Sequence, residues 1–194
     1  MEHHAVDFGG IGLRQSSKIA LGGIIAALSV VLMLLTAIPS MTFVLPAIAG
    51  VLLMIMVVEV NKGWAFMVFV AVSFISVFIV PDRMASVMYI LFFGYYPVLK
   101  ALMESKLPRT VEVILKFVVF NVSIVVAYFL LTFVMGTPML DLEFWQEKGI
   151  PTGVLIAVAI IFADVVFFVY DLALSKLVDM YLNHWRRHFK RIFK

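Results

Sequence analysis

The chain has 194 residues, of which 64% are apolar or aromatic and only 14% are charged, too little polar surface for a water-soluble globule of this size. It contains no cysteine, which excludes disulfides, thiolate metal sites and cysteine nucleophiles. The formal net charge of +3 says less about partners than the placement of the basic residues along so apolar a chain.

A bilayer core of ~30 Å takes about 20 helical residues to cross. The sequence supplies about six such stretches, so we expect an all-α integral membrane protein folded as a compact helical bundle. Residues 1–18, with Glu2, His3, His4 and Asp7, read as a cytoplasmic lead. The apolar segment that follows is too long for a signal peptide and has no small-residue cleavage site, so it is expected to stay as a helix.

The first span runs from about Ile19 to Ile38 and stops at Pro39-Ser40, where proline breaks the helical hydrogen bonding. The second runs from about Phe43 to Val60, with Pro46 tolerated in its first turn, and ends at the polar cluster Glu59, Asn61, Lys62 and Gly63. The third covers Trp64 to Val80, and Pro81-Asp82-Arg83 forms the turn to a fourth from Met84 to about Leu102. A charged loop from Glu104 to Arg109 comes next. The fifth span lies within Val111 to Met135 and is closed by Gly136-Thr137-Pro138. The longest connection, Met139 to Pro151, carries Asp141, Glu143, Trp145, Glu147 and Lys148 and suits a wet loop or a short interfacial helix. The sixth span starts near Thr152. The membrane domain is thus 19–183, followed by a basic aromatic tail, 184–194, in which Trp185, Phe189 and Phe193 recur at four-residue spacing.

With both termini inside, thirteen of the fifteen Lys and Arg residues fall on the inner side, and only Arg83 and Lys148 fall outside. That asymmetry orients the bundle, and shifting the count by one span destroys it.

Asp164 sits at hydrocarbon depth on the sixth span, where an ion costs at least ~2.5 kcal/mol on insertion scales and must face protein or water. Asn121 on the fifth span lies at a similar depth. The pair reads either as a polar substrate or coupling site or as a hydrogen-bonded clamp between helices. Glu59, Lys100, Lys116 and Asp171 fall near the inner interface, where long side chains snorkel and pair. Tyr95-Tyr96-Pro97 at the same level fits an aromatic belt. On the outer side a ligand meets Ser40, Thr42, Asp82, Arg83, Tyr89, Tyr128, Glu143 and Trp145 first. Trp145 over an apolar cup suits a small molecule, and it equally suits a headgroup anchor. Span one carries Ala20 and two overlapping small-xxx-small pairs, Gly22/Ala26 and Gly23/Ala27, able to receive another helix from a partner or from the same chain. The tail is suited to anionic headgroups or to a cytoplasmic protein, and no nucleic acid is needed to explain it. There is no phosphate-binding loop, no HExxH motif and no GxSxG elbow. His3, His4, His184 and His188 lie outside the spans, so neither a metal nor a cofactor is expected.

Six helices in about 190 residues, small residues on the first, a proline-containing turn after it, and Leu45-Pro46-Ala47-Ile48-Ala49-Gly50 opening the second resemble the substrate-binding S components of energy-coupling factor (ECF) transporters. The resemblance implies a non-enzymatic subunit of the bacterial or archaeal cell membrane. It would capture a vitamin-like nutrient from outside and associate with a second membrane subunit and two cytoplasmic ATPases. The usual docking element of that family is an alanine-xxx-alanine pair on the first helix. Here it corresponds to Gly23-Ile24-Ile25-Ala26-Ala27, with Ala20 one turn before it. A membrane scaffold acting through the basic tail is the alternative, and an intramembrane enzyme using Asp164 is a third reading.

Overall fold

The computed structural model describes residues 14–38, 40–136, 145, 149 and 151–182. The expected lead before Arg14, Pro39, most of the connection after Gly136, and the aromatic basic tail lie outside the described residues. Every described element is helical. The chain divides into two units, Met1–Leu140 and Asp141–Lys194.

The first unit contains α1 (Gln15–Leu34), extended by a tight turn at Leu35–Ala37, then α2 (Val44–Glu59), α3 (Lys62–Ile79), α4 (Arg83–Met88), α5 (Tyr96–Lys106) and α6 (Arg109–Phe129). Two wide π turns interrupt the regular pattern. Tyr89–Phe93 joins α4 to α5, and Leu130–Val134 extends α6. The second unit contains α7 (Thr152–Met180). Among the described residues, five helical stretches are long and apolar enough to cross a membrane: 15–37, 62–79, 83–106, 109–134 and 152–180. The sixth, α2, is apolar but has only 16 residues. The expectation of about six spans is met to that extent.

Local chemistry sets the boundaries. Asn61 Oδ1 accepts from Trp64 N at 2.9 Å and caps α3, and Asp82 Oδ1 accepts from Ala85 N at 3.1 Å and caps α4. Pro97 lies in the first turn of α5, where a missing N–H costs nothing. Gly136 ends the α6 extension with φ +66°, a left-handed conformation that glycine adopts freely. One boundary differs from expectation. Glu104 is helical, because α5 runs on to Lys106 and the break comes at Leu107-Pro108. A run of charges read as a loop is helix here, held by a Lys100–Glu104 ion pair one turn apart.

α1 packs against α2 and α3, and α2 also packs against α5. At Gly22 a Cβ would lie 3.3 Å from Met56 Cε and 3.4 Å from Val68 Cγ2, so this glycine marks where three helices meet. The tightest approach is at Gly94. A Cβ there would come 2.5 Å from Phe69 Cδ2 and 2.9 Å from the Tyr89 carbonyl oxygen. The Phe69 ring lies 6.1 Å from both the Tyr89 and the Tyr95 ring, and Phe92 stacks on Tyr96 at 4.8 Å. The expected aromatic belt at Tyr95-Tyr96 is therefore corrected. Tyr96 is fully buried, and Tyr95 is half-buried with its hydroxyl 2.9 Å from Ser123 Oγ.

Because backbone as well as a ring blocks the space, Gly94→Ala should destabilise the fold by roughly 2 kcal/mol or more. Gly23→Ala, where a Cβ meets nothing within 4 Å, should leave it unchanged. Thermal unfolding of the two variants side by side in detergent checks the difference.

Candidate functional site

Polar side chains gather at opposite ends of the first unit. At one end, Glu104 Oε1 lies 2.8 Å from Lys100 Nζ and 3.0 Å from Lys116 Nζ, and Lys116 Nζ also reaches Glu112 Oε1 at 2.6 Å. Lys62 Nζ donates to Ser105 Oγ at 2.9 Å. The expected pairing of Lys100 and Lys116 is present, but both are buried, so their ammonium groups end on carboxylates and not in solvent. Their partners come from residues assigned to a loop and from the first turn of α6. Glu59, at the same end, is also buried, and its Oε1 accepts no hydrogen bond among the described residues.

At the other end, Asp82 Oδ2 accepts from Thr42 Oγ1 at 2.7 Å, tying the α1–α2 connection to the α3–α4 connection, while Arg83 donates to the Val77 carbonyl at 3.2 Å. Ser86 Oγ donates to the carbonyl oxygens of Ser76 and Asp82. Asp82 thus uses one carboxylate oxygen for its own helix and the other for a distant segment.

Between these ends lies a set of hydroxyls with a different character. Ser29, Ser76 and Tyr89 are buried at 0% exposure, and their side-chain oxygens have no hydrogen-bond partner among the described residues. Ser73 and Thr132, both half-buried, share that deficit. Several other hydroxyls in these helices bond to the preceding turn. Thr36 donates to Met33 O, Ser105 to Leu102 O, Ser123 to Val119 O and Ser175 to Asp171 O. An unpaired buried hydroxyl costs ~1–3 kcal/mol, so several in one region need an explanation.

The residues expected at a solute site are placed as follows. Tyr89 is fully enclosed at the first π turn, with its ring beside Phe69. Asn121 is half-buried on α6 and donates to its own helix at Phe117 O, 3.0 Å away. Tyr128 is half-buried two turns further along α6. Asp164 and Trp145 belong to the second unit. Trp145 is 38% exposed. On α7 the series Asp164, Phe167, Asp171, Leu174, Val178 advances by three and four residues, so both carboxylates share a face with the three residues that α7 buries.

The small residues of α1 divide cleanly. Gly22 is buried in the packed face, and Ala26 beside it is half-buried. Ala20, Gly23 and Ala27 are exposed on the opposite side among Ile19, Ile24, Leu28 and Val31. Sequence spacing pointed to both pairs, and only the packing separates them. The partnerless serines were not singled out from sequence, because a serine in an apolar helix gives no sign of whether its hydroxyl will find a carbonyl.

These features define an all-helical protein whose long apolar helices are compatible with embedding in a membrane, with polar groups sorted to the ends of its first unit. The chain matches no family model, no curated protein and no solved structure.

Replacing Glu104 by Gln removes the negative charge shared by two buried ammonium groups. Because Glu104 is itself partly exposed, solvent screening moderates the loss to about 1–3 kcal/mol. Glu112→Gln, which leaves the shared carboxylate in place, should cost less. Chemical denaturation of both variants gives the comparison.

Proposed function

We propose that this chain is a multi-pass protein of the bacterial or archaeal cytoplasmic membrane that captures a small solute at its outer face for an uptake transporter. A separate membrane subunit and cytoplasmic ATPases drive the cycle, and the chain performs no catalysis itself. The orientation rests on charge. In the first unit Arg14, Lys18, Lys62, Lys100, Lys106, Arg109 and Lys116 lie toward the Glu104 end, against Arg83 alone at the Asp82 end. On this reading the Glu104 end of the first unit is cytoplasmic and its Asp82 end external.

The observation that carries the reading is the open small-residue face of α1. In lipid, two helices gain little from hydrophobicity and associate by close van der Waals packing, which small side chains allow. Gly22 already serves that purpose within the unit, next to Met56 and Val68. Ala20, Gly23 and Ala27 serve nothing within it, and a Cβ at Gly23 meets no atom within 4 Å. A face built for close approach and left uncovered matches a docking helix, as the resemblance to ECF S components implies. In the first unit Tyr89, Tyr128 and Asn121 are the candidates to hold the solute.

Gly23→Leu and Ala27→Leu should abolish copurification with the ATPase module while leaving thermal stability and solute-dependent stabilisation intact. Gly22→Leu should impair folding itself. Pull-down from a mild detergent extract, with thermal unfolding alongside, separates the two outcomes. Undiminished copurification of the Gly23 and Ala27 variants would remove this face as the docking surface.

A further inference from the structure

We propose that Lys62, Ser105 and Lys106, where the start of α3 meets the end of α5, form a binding site for the phosphate group of an anionic phospholipid. The proposal needs the chain to be embedded in a membrane. It depends neither on solute capture nor on docking through α1.

The fold brings two cations together here. Lys62 Nζ donates to Ser105 Oγ at 2.9 Å, and Ser105 Oγ donates its own proton to the Leu102 carbonyl, also at 2.9 Å. The serine thus holds the Lys62 ammonium against the end of α5. Lys106, the next residue, acts on Lys62 as a like charge. Lys62 is also the first residue of α3, where the helix dipole opposes a cation. The carboxylates of the first unit at this end are engaged elsewhere or enclosed. Glu104 serves Lys100 and Lys116, Glu112 serves Lys116, and Glu59 is buried. Lys106 is exposed and forms no ion pair among the described residues. An anion held between the two lysines would replace one repulsion by two attractions.

The surface one turn deeper makes that anion a lipid's. Phe66 follows Lys62 by four residues and Leu102 precedes Lys106 by four, so each shares a helix face with its lysine. Both are exposed, and on α3 the exposed apolar series continues at the same spacing through Val70 and Phe74. Each lysine therefore stands at the boundary of an apolar stretch, at residue 62 where one begins and at residue 106 where another ends, with bare apolar surface beyond it. A free phosphate would use the cations and leave that surface uncovered, and so would an acidic water-soluble protein. A phospholipid covers both, since its phosphate lies just outside the hydrocarbon that its acyl chains form. Two lysines also select a lipid of net negative charge over a zwitterionic one, whose own ammonium group they repel.

The full chain, purified without partners in an uncharged detergent, is titrated with phosphatidylglycerol, which is anionic, and with phosphatidylcholine, which is zwitterionic, and bound lipid is counted by native mass spectrometry. Phosphatidylglycerol should bind about tenfold or more tightly than phosphatidylcholine. The double variant Lys62→Gln/Lys106→Gln should lose most of that preference. Arg14→Gln/Lys18→Gln, which removes the same charge from the start of α1 at the same end, should keep it. Equal binding of the two lipids would leave the lysines to an acidic protein and overturn the proposal. Equal losses in the two double variants would show diffuse attraction to a basic surface and overturn the site. Inorganic phosphate at matched concentration should not compete with phosphatidylglycerol, and full competition would assign the site to the free anion and overturn the lipid. Lys106→Gln alone gives a second measurement. Without lipid its melting temperature should equal or exceed that of the unaltered chain, because a like-charge contact is gone, and a lower one would show that Lys106 is bonded within the fold and overturn its role.

Discussion

One carboxylate oxygen, Glu104 Oε1, joins two buried ammonium groups from different helices, Lys100 on α5 and Lys116 on α6. The α5–α6 corner at Leu107-Pro108 depends on this arrangement. Two lysines drawn out of water by apolar neighbours repel one another unless a negative charge lies between them, and Glu104 lies there while Glu112 completes the alternation. Lys62 extends the polar set to α3 through Ser105. At the far end Asp82 ties the α1–α2 connection to the start of α4. Both ends are held by hydrogen bonds, and between them apolar side chains pack by dispersion contacts around a few buried hydroxyls that have no hydrogen-bond partner among the described residues.

Much of this organisation is legible in the amino-acid sequence, and the exceptions have physical causes. The long apolar stretches announce themselves because few residues in them tolerate water. Their ends are set by pairings that composition alone does not show. The Glu104 segment was read as a loop from its charge, yet Lys100 and Glu104 sit at helical spacing and pair, and proline stops the helix four residues later. Tyr95 and Tyr96 suited an interfacial belt by composition, but Gly94 lets the chain press against Phe69 and carries Tyr96 into the core. The overlapping small-residue pairs on α1 are indistinguishable as a pattern, since the hundred degrees between Gly22 and Gly23 matters only once the neighbours of each are known. The π turns left no compositional trace at all.

The polar residues of the apolar helices separate into two kinds, and burial does not separate them. Asn121 and Ser123 are satisfied by the carbonyl four residues back on their own helix, which makes them unobtrusive guests of α6. Ser29, Ser76 and Tyr89 are more deeply buried and have no such bond among the described residues. Sequence reasoning weighs residue type and depth, which ranked Asn121 above the serines. Once hydrogen bonds are accounted for, the unsatisfied hydroxyls become the more informative groups.

The π turn at Tyr89–Phe93 has a bearing on how the α4–α5 stretch accommodates two neighbourhoods at once. A π turn amounts to one residue inserted into an α-helix, so the faces before and after it are out of phase by roughly 100°. Before the turn, Ser86 is directed at α3. After it, Tyr96, Pro97, Val98, Lys100, Ala101 and Met103 are buried. A continuous α-helix through the same residues would rotate the second half away from its present neighbours, turning Glu104 off Lys116 or Ser86 off α3. The extra residue works as a phase shifter, allowing one rod to address the polar tie at the Asp82 end with one half and the charge alternation at the Glu104 end with the other. Its length in residues, more than the identity of any side chain within it, is what this stretch must preserve.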